Sequence, residues 1–141
     1  MDPVRRQQVL DQLNASSRAT LMEQLDIRYS DVGVDFLEAT MPVDSRVHQP
    51  MGLLHGGATA ALAESVGSAA AALQVDLTRQ AVVGTSLSVN HLRGMRDGLV
   101  RARAEPVHLG RTTQLWAIRV FDEHDRLIAD ARLTMMVLDQ D

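Results

Sequence analysis

The segment spanning residues 56–73 limits the fold of this chain more than any other. It has helical composition and would run ~27 Å as a helix. Its residues are almost all glycine, alanine, valine, leucine or small hydroxyl residues, and its only charge is Glu64. A surface helix carries several charged side chains on its solvent face, whereas a helix that crosses a bilayer needs about 20 apolar residues in succession. The most apolar part, residues 58–73, is broken by Glu64 and two serines and is too short to cross. On a helical wheel, Leu62, Val66, Ala69 and Leu73 form the stripe expected to face a sheet. Gly57, Ala60, Ala61, Glu64, Ser68 and Ala71 form the opposite side. Small residues let another backbone approach closely, so this second face is expected to meet another helix, most simply that of a second copy of the chain. A sparsely charged exposed face with one solvated Glu is the alternative reading.

The rest of the chain says what surrounds the helix. Residues 4–25 carry helical spacing through Val9, Leu10, Leu13, Leu21, Met22 and Leu25, with a break expected at residues 14–17. Residues 34–43 read as a strand ended by Pro42 and followed by a loop containing Pro50 and Gly52. After the long helix come four β-rich runs, at residues 81–92, 99–107, 112–122 and 127–138, joined by turn-like connections short enough for hairpins. The expected layout is α+β: an antiparallel sheet with the long helix on one face. With 141 residues and no repeat or linker, one domain is expected over 1–141, with residues 1–26 as its helical lead-in.

Composition restricts the chemistry. There is no cysteine, and all 14 basic residues are arginine. Thiolate nucleophiles, disulfides and Cys-ligated metals are excluded, as are Schiff-base lysines and lysine-dependent phosphate loops. Asp/Glu, five His, Ser/Thr and backbone amides remain. A net charge of −4 and 3% aromatics argue against a nucleic-acid partner. The N-terminus has no apolar signal region, so a cytoplasmic location and no membrane association are expected. The spacings of His48, His55, His91 and His108 match no zinc motif, and no metal is expected.

If its face is covered, Glu64 is a desolvated carboxylate, and such groups concentrate at functional sites. Ser68, one turn further on, can hydrogen-bond it or a water it activates. At the other end, His55-Gly56-Gly57 leaves backbone N–H groups uncovered at a helix start, where an oxyanion can be held. A tight turn with no further role is the simpler reading of Gly-Gly alone. Glu64 lies ~12 Å from Gly56 along the helix axis, so one reacting carbonyl cannot touch both on the same chain. Two antiparallel helices meeting through their small-residue faces would join Glu64 of one copy to Gly56 of the other, provided both ends are functional.

Gln49-Pro50-Met51-Gly52-Leu53-Leu54-His55-Gly56-Gly57, followed by Ala63-Glu64-Ser65, Asn90-His91 and His108-Leu109-Gly110-Arg111, resembles the hotdog-fold acyl-CoA thioesterases. The resemblance is to the branch that holds 1,4-dihydroxy-2-naphthoyl-CoA hydrolase and the Arthrobacter-type 4-hydroxybenzoyl-CoA thioesterase. It implies an antiparallel sheet wrapped around the central helix and sites formed between subunits of a homodimer or dimer of dimers. It also implies that Glu64 acts as nucleophile or general base and that the Gly56 N–H binds the thioester oxygen. Gln49 and His55 would position or polarise that oxygen, and Ser68 would orient the water. His91, Arg93, Met51, His108 and Arg111 would contact the substrate, with the arginines as candidates for the CoA phosphates. No cofactor is implied, because CoA is part of the substrate. Met51 and Ala71-Ala72, standing where aryl-specific relatives often carry aromatics, lead us to expect a roomier acyl pocket. Trp116, Tyr29 and the methionines are expected in packing, His48 and His124 on surface loops, and Arg101 and Arg103 on a solvated or intersubunit face. A hotdog hydratase or dehydratase, and a non-catalytic acyl-CoA binding or sensing module, are the rival functions. A thioester on acyl-carrier protein remains an alternative to CoA.

Overall fold

A computed structural model of the chain describes residues 1–140. Helix α1 (Pro3–Ser16) and the short α2 (Leu21–Gln24) lead into strands β1 (Arg28–Val32) and β2 (Leu37–Val43), and the long helix α3 (Gly56–Ala72) follows. Strands β3 (Gln80–His91), β4 (Gly98–Leu109), β5 (Thr113–Phe121) and β6 (Leu127–Asp139) complete the fold. They form one antiparallel sheet in the order β1-β2-β4-β5-β6-β3. Helix α3 packs against β2, β3, β4, β5 and β6, so the sheet wraps around it as a hotdog fold does. No helix among the described residues is long and apolar enough to cross a membrane.

Period-2 patterning explains the sheet. Val100, Ala102 and Ala104 of β4 are buried, as are Gln114, Trp116, Ile118 and Val120 of β5 and Leu133 and Met135 of β6. Their sequence neighbours Arg101, Arg103, Arg119 and Arg132 take the outer face. Trp116 is the one buried indole, and its Nε1 donates to the buried Gln114 Oε1 at 2.8 Å. The interior thus leaves no indole N–H unpaired.

Two features of the lead-in depart from expectation. The expected strand over residues 34–43 starts only at Leu37, because residues 33–36 form a turn in which Gly33 N–H donates to Phe36 O at 3.0 Å. The residues before that turn form β1, a strand the sequence reading did not separate. Its bulge between Tyr29 and Asp31 blurs the alternation. Helix α1 also continues through Ser16 without breaking at Asn14. Asn14 is used differently: its amide donates to Tyr29 O at 3.0 Å and its Oδ1 accepts from Tyr29 N–H at 2.8 Å. A helix side chain thereby pairs with the strand backbone, and Thr20 caps the next helix instead.

The sheet-facing side of α3 is rotated from the expected stripe. Leu62 and Val66 are fully buried, but Ala69 is half-buried and Leu73 is exposed. The buried set is Thr59, Leu62, Ala63, Val66, Gly67, Ala70 and Ala71. Ala71 therefore moves from the open face to the packed one. The cause is close approach: a Cβ on Gly67 would stand 2.6 Å from Leu133 Cδ2 and 3.2 Å from Ile118 Cδ1. Small residues, not large ones, set which face meets the sheet.

On the outer face Glu38 is only 7% exposed yet charged, and it is held by two arginines. Arg101 Nη1 lies 2.5 Å from its Oε1 and Arg103 Nη1 lies 3.4 Å from its Oε2. The two guanidinium groups stack over Phe121 and Phe36. Arg101 and Arg103 thus hold a buried carboxylate of their own chain, a use not foreseen in the sequence. In the β5–β6 turn, Asp122 accepts from the N–H groups of His124 and Arg126, both at 2.9 Å, and from Arg126 Nε at 2.7 Å. Burial pushes the Asp122 carboxyl up, but these donors outweigh it and hold the group below the usual carboxylate range.

Two stability outcomes follow from this packing. Gly67→Val drives a branched side chain into Leu133 and Ile118, and thermal denaturation should show a loss of about 1–3 kcal/mol. Asp122, whose folded-state value is lowered, contributes stability that is present above about pH 4 and is lost as pH falls through that lowered value. Asp122→Asn should therefore lower Tm at pH 7 and flatten the fall in Tm between pH 5 and pH 2 (roughly the carboxylate range).

Candidate active site

The loop before α3 is pinned on several sides. Asp44 caps a single 3-10 turn over Ser45–Val47, His55 N–H donates to Val47 O at 2.7 Å, and Leu54 N–H donates to Met95 O at 2.6 Å. His48 Nε2 lies 2.7 Å from Arg96 O. The loop delivers His55 as the N-cap of α3, where its Nδ1 accepts from Gly57 N–H at 2.7 Å. The His55 carbonyl takes the N–H groups of Ala58 and Thr59. The N–H of Gly56 is left without a partner among the described residues, at the positive end of a 17-residue helix.

Around Gly56 lies a cavity of about 400 Å³ lined by Gln49, Leu53, Leu54, Thr59, His91, Leu92 and Arg93, among others. The His91 ring stands so near that a Cβ on Gly56 would meet its Nε2 at 3.0 Å. Glycine here is a matter of space: it admits the imidazole to the helix start. Gln49, Gly56, His91 and Arg93, which the sequence reading singled out, therefore share one wall. His55 caps the helix beside them with an exposed ring.

Glu64 and Ser68 lie in a different cavity, of about 580 Å³ and mainly apolar. Its walls include Leu13 of α1, Met22 of α2, Tyr29 of β1, Ser65, Ala69 and Ala72 of α3, and Val82 of β3. Glu64 makes no ion pair among the described residues. Ser68 Oγ sits 3.8 Å from Met135 Sδ. Burial raises the Tyr29 hydroxyl to about 12, so it stays protonated and donates to Ser65 O at 3.2 Å. The lead-in's apolar positions had been legible only as a helix stripe. Leu13 and Met22 turn out to wall the Glu64 cavity, as does Ala72, whereas Ala71 is packed beneath the helix.

Three expected substrate contacts are not brought to either cavity. Met51 is 72% exposed in the turn after Pro50, with its carbonyl accepting from Arg96 Nη1 at 3.3 Å. His108 and Arg111 belong to the β4–β5 hairpin, whose Leu109 aligns through Gln114 and Met135 with Gly84 of β3. Arg93 follows the far end of β3, seven residues beyond Gly84 at His91, or ~23 Å away along the strand. A joint contact of Arg93 with Arg111 is not available within one chain. Among the described residues no cluster of three His, Asp or Glu side chains is placed to hold a metal ion.

Comparison with known proteins identifies the family of the chain. The Thioesterase superfamily pattern matches residues 51–129, which run from the loop through the β5–β6 turn. A proofreading thioesterase, EntH, of Cronobacter turicensis is 51% identical over 136 residues, covering 95% of this chain and 97% of that protein. The 1,4-dihydroxy-2-naphthoyl-CoA hydrolase of Escherichia coli is 48% identical over 134 residues, covering 95% and 98% of the two chains. A crystal structure of a mutant of the thioesterase PA1618 from Pseudomonas aeruginosa superposes with a TM-score of 0.91 at 48% identity, covering 93% of this chain and 94% of that one. Matched by the pattern across most of its sheet and central helix, and by such relatives over nearly its whole length, this chain belongs to the Thioesterase superfamily.

Proposed function

We propose that the protein hydrolyses an acyl-CoA thioester, aryl or medium-chain, to the free acid and CoA, at a site shared between two copies of the chain. The observation that carries this is the division of α3. An unpartnered N–H at Gly56 faces one cavity, and the only carboxylate of the helix faces another. The two lie ~12 Å apart along a single axis. A thioester carbonyl held by Gly56 is out of reach of Glu64 in the same chain. An antiparallel second copy supplies the missing half of each site.

In this reading the Gly56 N–H donates to the carbonyl oxygen as negative charge develops on it, with Gln49 and His91 on the same wall. Glu64 then works in one of two ways. As a general base it takes a proton from water, the hydroxyl adds to the carbonyl carbon, the C–S bond breaks, and CoA leaves as a thiolate that collects the proton. As a nucleophile it adds to the carbon itself, expels the thiolate and leaves an anhydride that water opens. Ser68, one turn away, orients the water in either case. The apolar cavity walled by Leu13, Met22 and Ala72 takes the acyl group. Arg93 lines the Gly56 cavity and would meet the CoA portion of the substrate there.

Thiol release measured with aryl, short, medium and long acyl-CoAs should show turnover with several acyl groups. Glu64→Gln should lower kcat by roughly 10²–10⁴-fold on every one. Full activity in Glu64→Gln would exclude the assigned role, and no turnover with any thioester would point to a binding module. The sharing of the site has its own test. Inactive Glu64→Gln and impaired Gln49→Ala chains, unfolded together and refolded as a mixture, should regain activity, because half of the mixed pairs' sites carry both native residues. A mixture no more active than the mean of its parents would place each site within one chain.

A further inference from the structure

The geometry points to Gly84 as the residue that positions the Glu64 carboxylate, through the space left by its missing side chain. Gly84 lies in β3, an edge strand, and is exposed in the single chain; a Cβ on it would project toward Glu64 of α3 and Met135 of β6. A Cβ built there would stand 2.5 Å from Glu64 Oε2. The other atoms near it are ordinary neighbours: Met135 Sδ at 3.6 Å and Glu64 Cδ at 3.7 Å. One carboxylate oxygen occupies the place that any other residue would fill.

Nothing else in the local structure calls for glycine. Positive φ among the glycines is confined to Gly52 and Gly98, so the Gly84 backbone is open to any residue. Glycine inside a strand weakens it, and alanine there usually stabilises. The register with β6 shifts between Gly84 and Ser86, leaving Thr85 as an extra residue whose Oγ1 lies 3.2 Å from Thr134 O. Such bulges bend a strand and re-aim its neighbours. Here the bulge and the bare Cα together form a recess in the sheet into which the Glu64 side chain reaches from the helix.

This inference rests on the catalytic reading of Glu64, and it adds the device that sets where the carboxylate sits. The atom displaced by a methyl group is the end of a flexible side chain, so the fold can yield by turning Glu64 aside. Such a change is mild for stability and severe for a reaction in which a misplacement of ~1 Å costs up to about 10²-fold.

Gly84→Ala is the test, read in two ways. Steady-state kinetics should show kcat lowered roughly 10–100-fold, with KM within about threefold of native, because the acyl and CoA contacts are untouched. Thermal denaturation should show that the methyl group is better tolerated once the carboxylate is gone. The Tm change on Gly84→Ala should be about 2–4 °C more favourable in a Glu64→Ala background than in the native one. If Gly84→Ala fails to fold by itself, adding Glu64→Ala should restore folding. Native kcat in Gly84→Ala, or a Tm change that is the same in both backgrounds, would overturn the assignment. The Tm comparison needs no turnover, so it separates failure of this inference from failure of the proposed role of Glu64.

Discussion

The close seating of α3 on the sheet governs the rest of the molecule. Gly67 brings the helix backbone down onto Leu133 and Ile118, and Thr59, Leu62, Ala63, Val66 and Ala70 are buried beside it. Because small residues also occupy the other side of the helix, its one long polar side chain, Glu64, is not lost among solvated charges. Its carboxylate lies against Gly84 of β3, and the side chain lines a mostly apolar cavity. The loop pinned before the helix fixes its start, so the free N–H of Gly56 and the carboxylate of Glu64 are held at a set separation by one rigid element. A helix is well suited to this, since its hydrogen bonds fix the rise between any two residues.

Much of this was visible in the residues themselves. The four β-rich runs after the helix correspond to β3–β6, and in β4, β5 and β6 period-2 alternation survives because one face is buried and the other carries arginine. The helix was legible from composition, and the two positions proposed for catalysis, Glu64 and Gly56, from their placement on it. What was hidden is of a different kind. Strand β1 is short and bulged, and the backbone of its Tyr29 also pairs with an asparagine on a helix, which leaves no periodic trace. The wheel misplaced Ala69, Leu73 and Ala71 because a hydrophobicity stripe gives weight to large side chains, whereas here a glycine sets the contact. Met51, His108 and Arg111 were grouped with the site through resemblance alone. In the folded chain the first is solvent-exposed and the other two lie in the β4–β5 hairpin, away from both cavities.

The absence of cysteine and lysine takes on a structural sense beside these features. Every basic side chain is a guanidinium, and the fold uses several of them in ways that a flexible ammonium would serve poorly. Arg101 and Arg103 each pair with Glu38 while their guanidinium groups sit over a phenyl ring, and Arg126 closes the turn around Asp122. The outer face of the sheet therefore keeps a nearly buried carboxylate without leaving it unpaired. The interior face is left to apolar side chains and to the pair formed by Gln114 and Trp116.

That pair gives the molecule a built-in optical reporter. The chain has a single tryptophan, fully buried under the helix and tied to a buried amide, and its register neighbour on β6 is Leu133, the residue that Gly67 rests on. Its emission arises from the seam between helix and sheet, while both cavities lie outside its immediate surroundings. Tryptophan fluorescence in this chain therefore reads the intactness of the scaffold separately from the occupancy of the site.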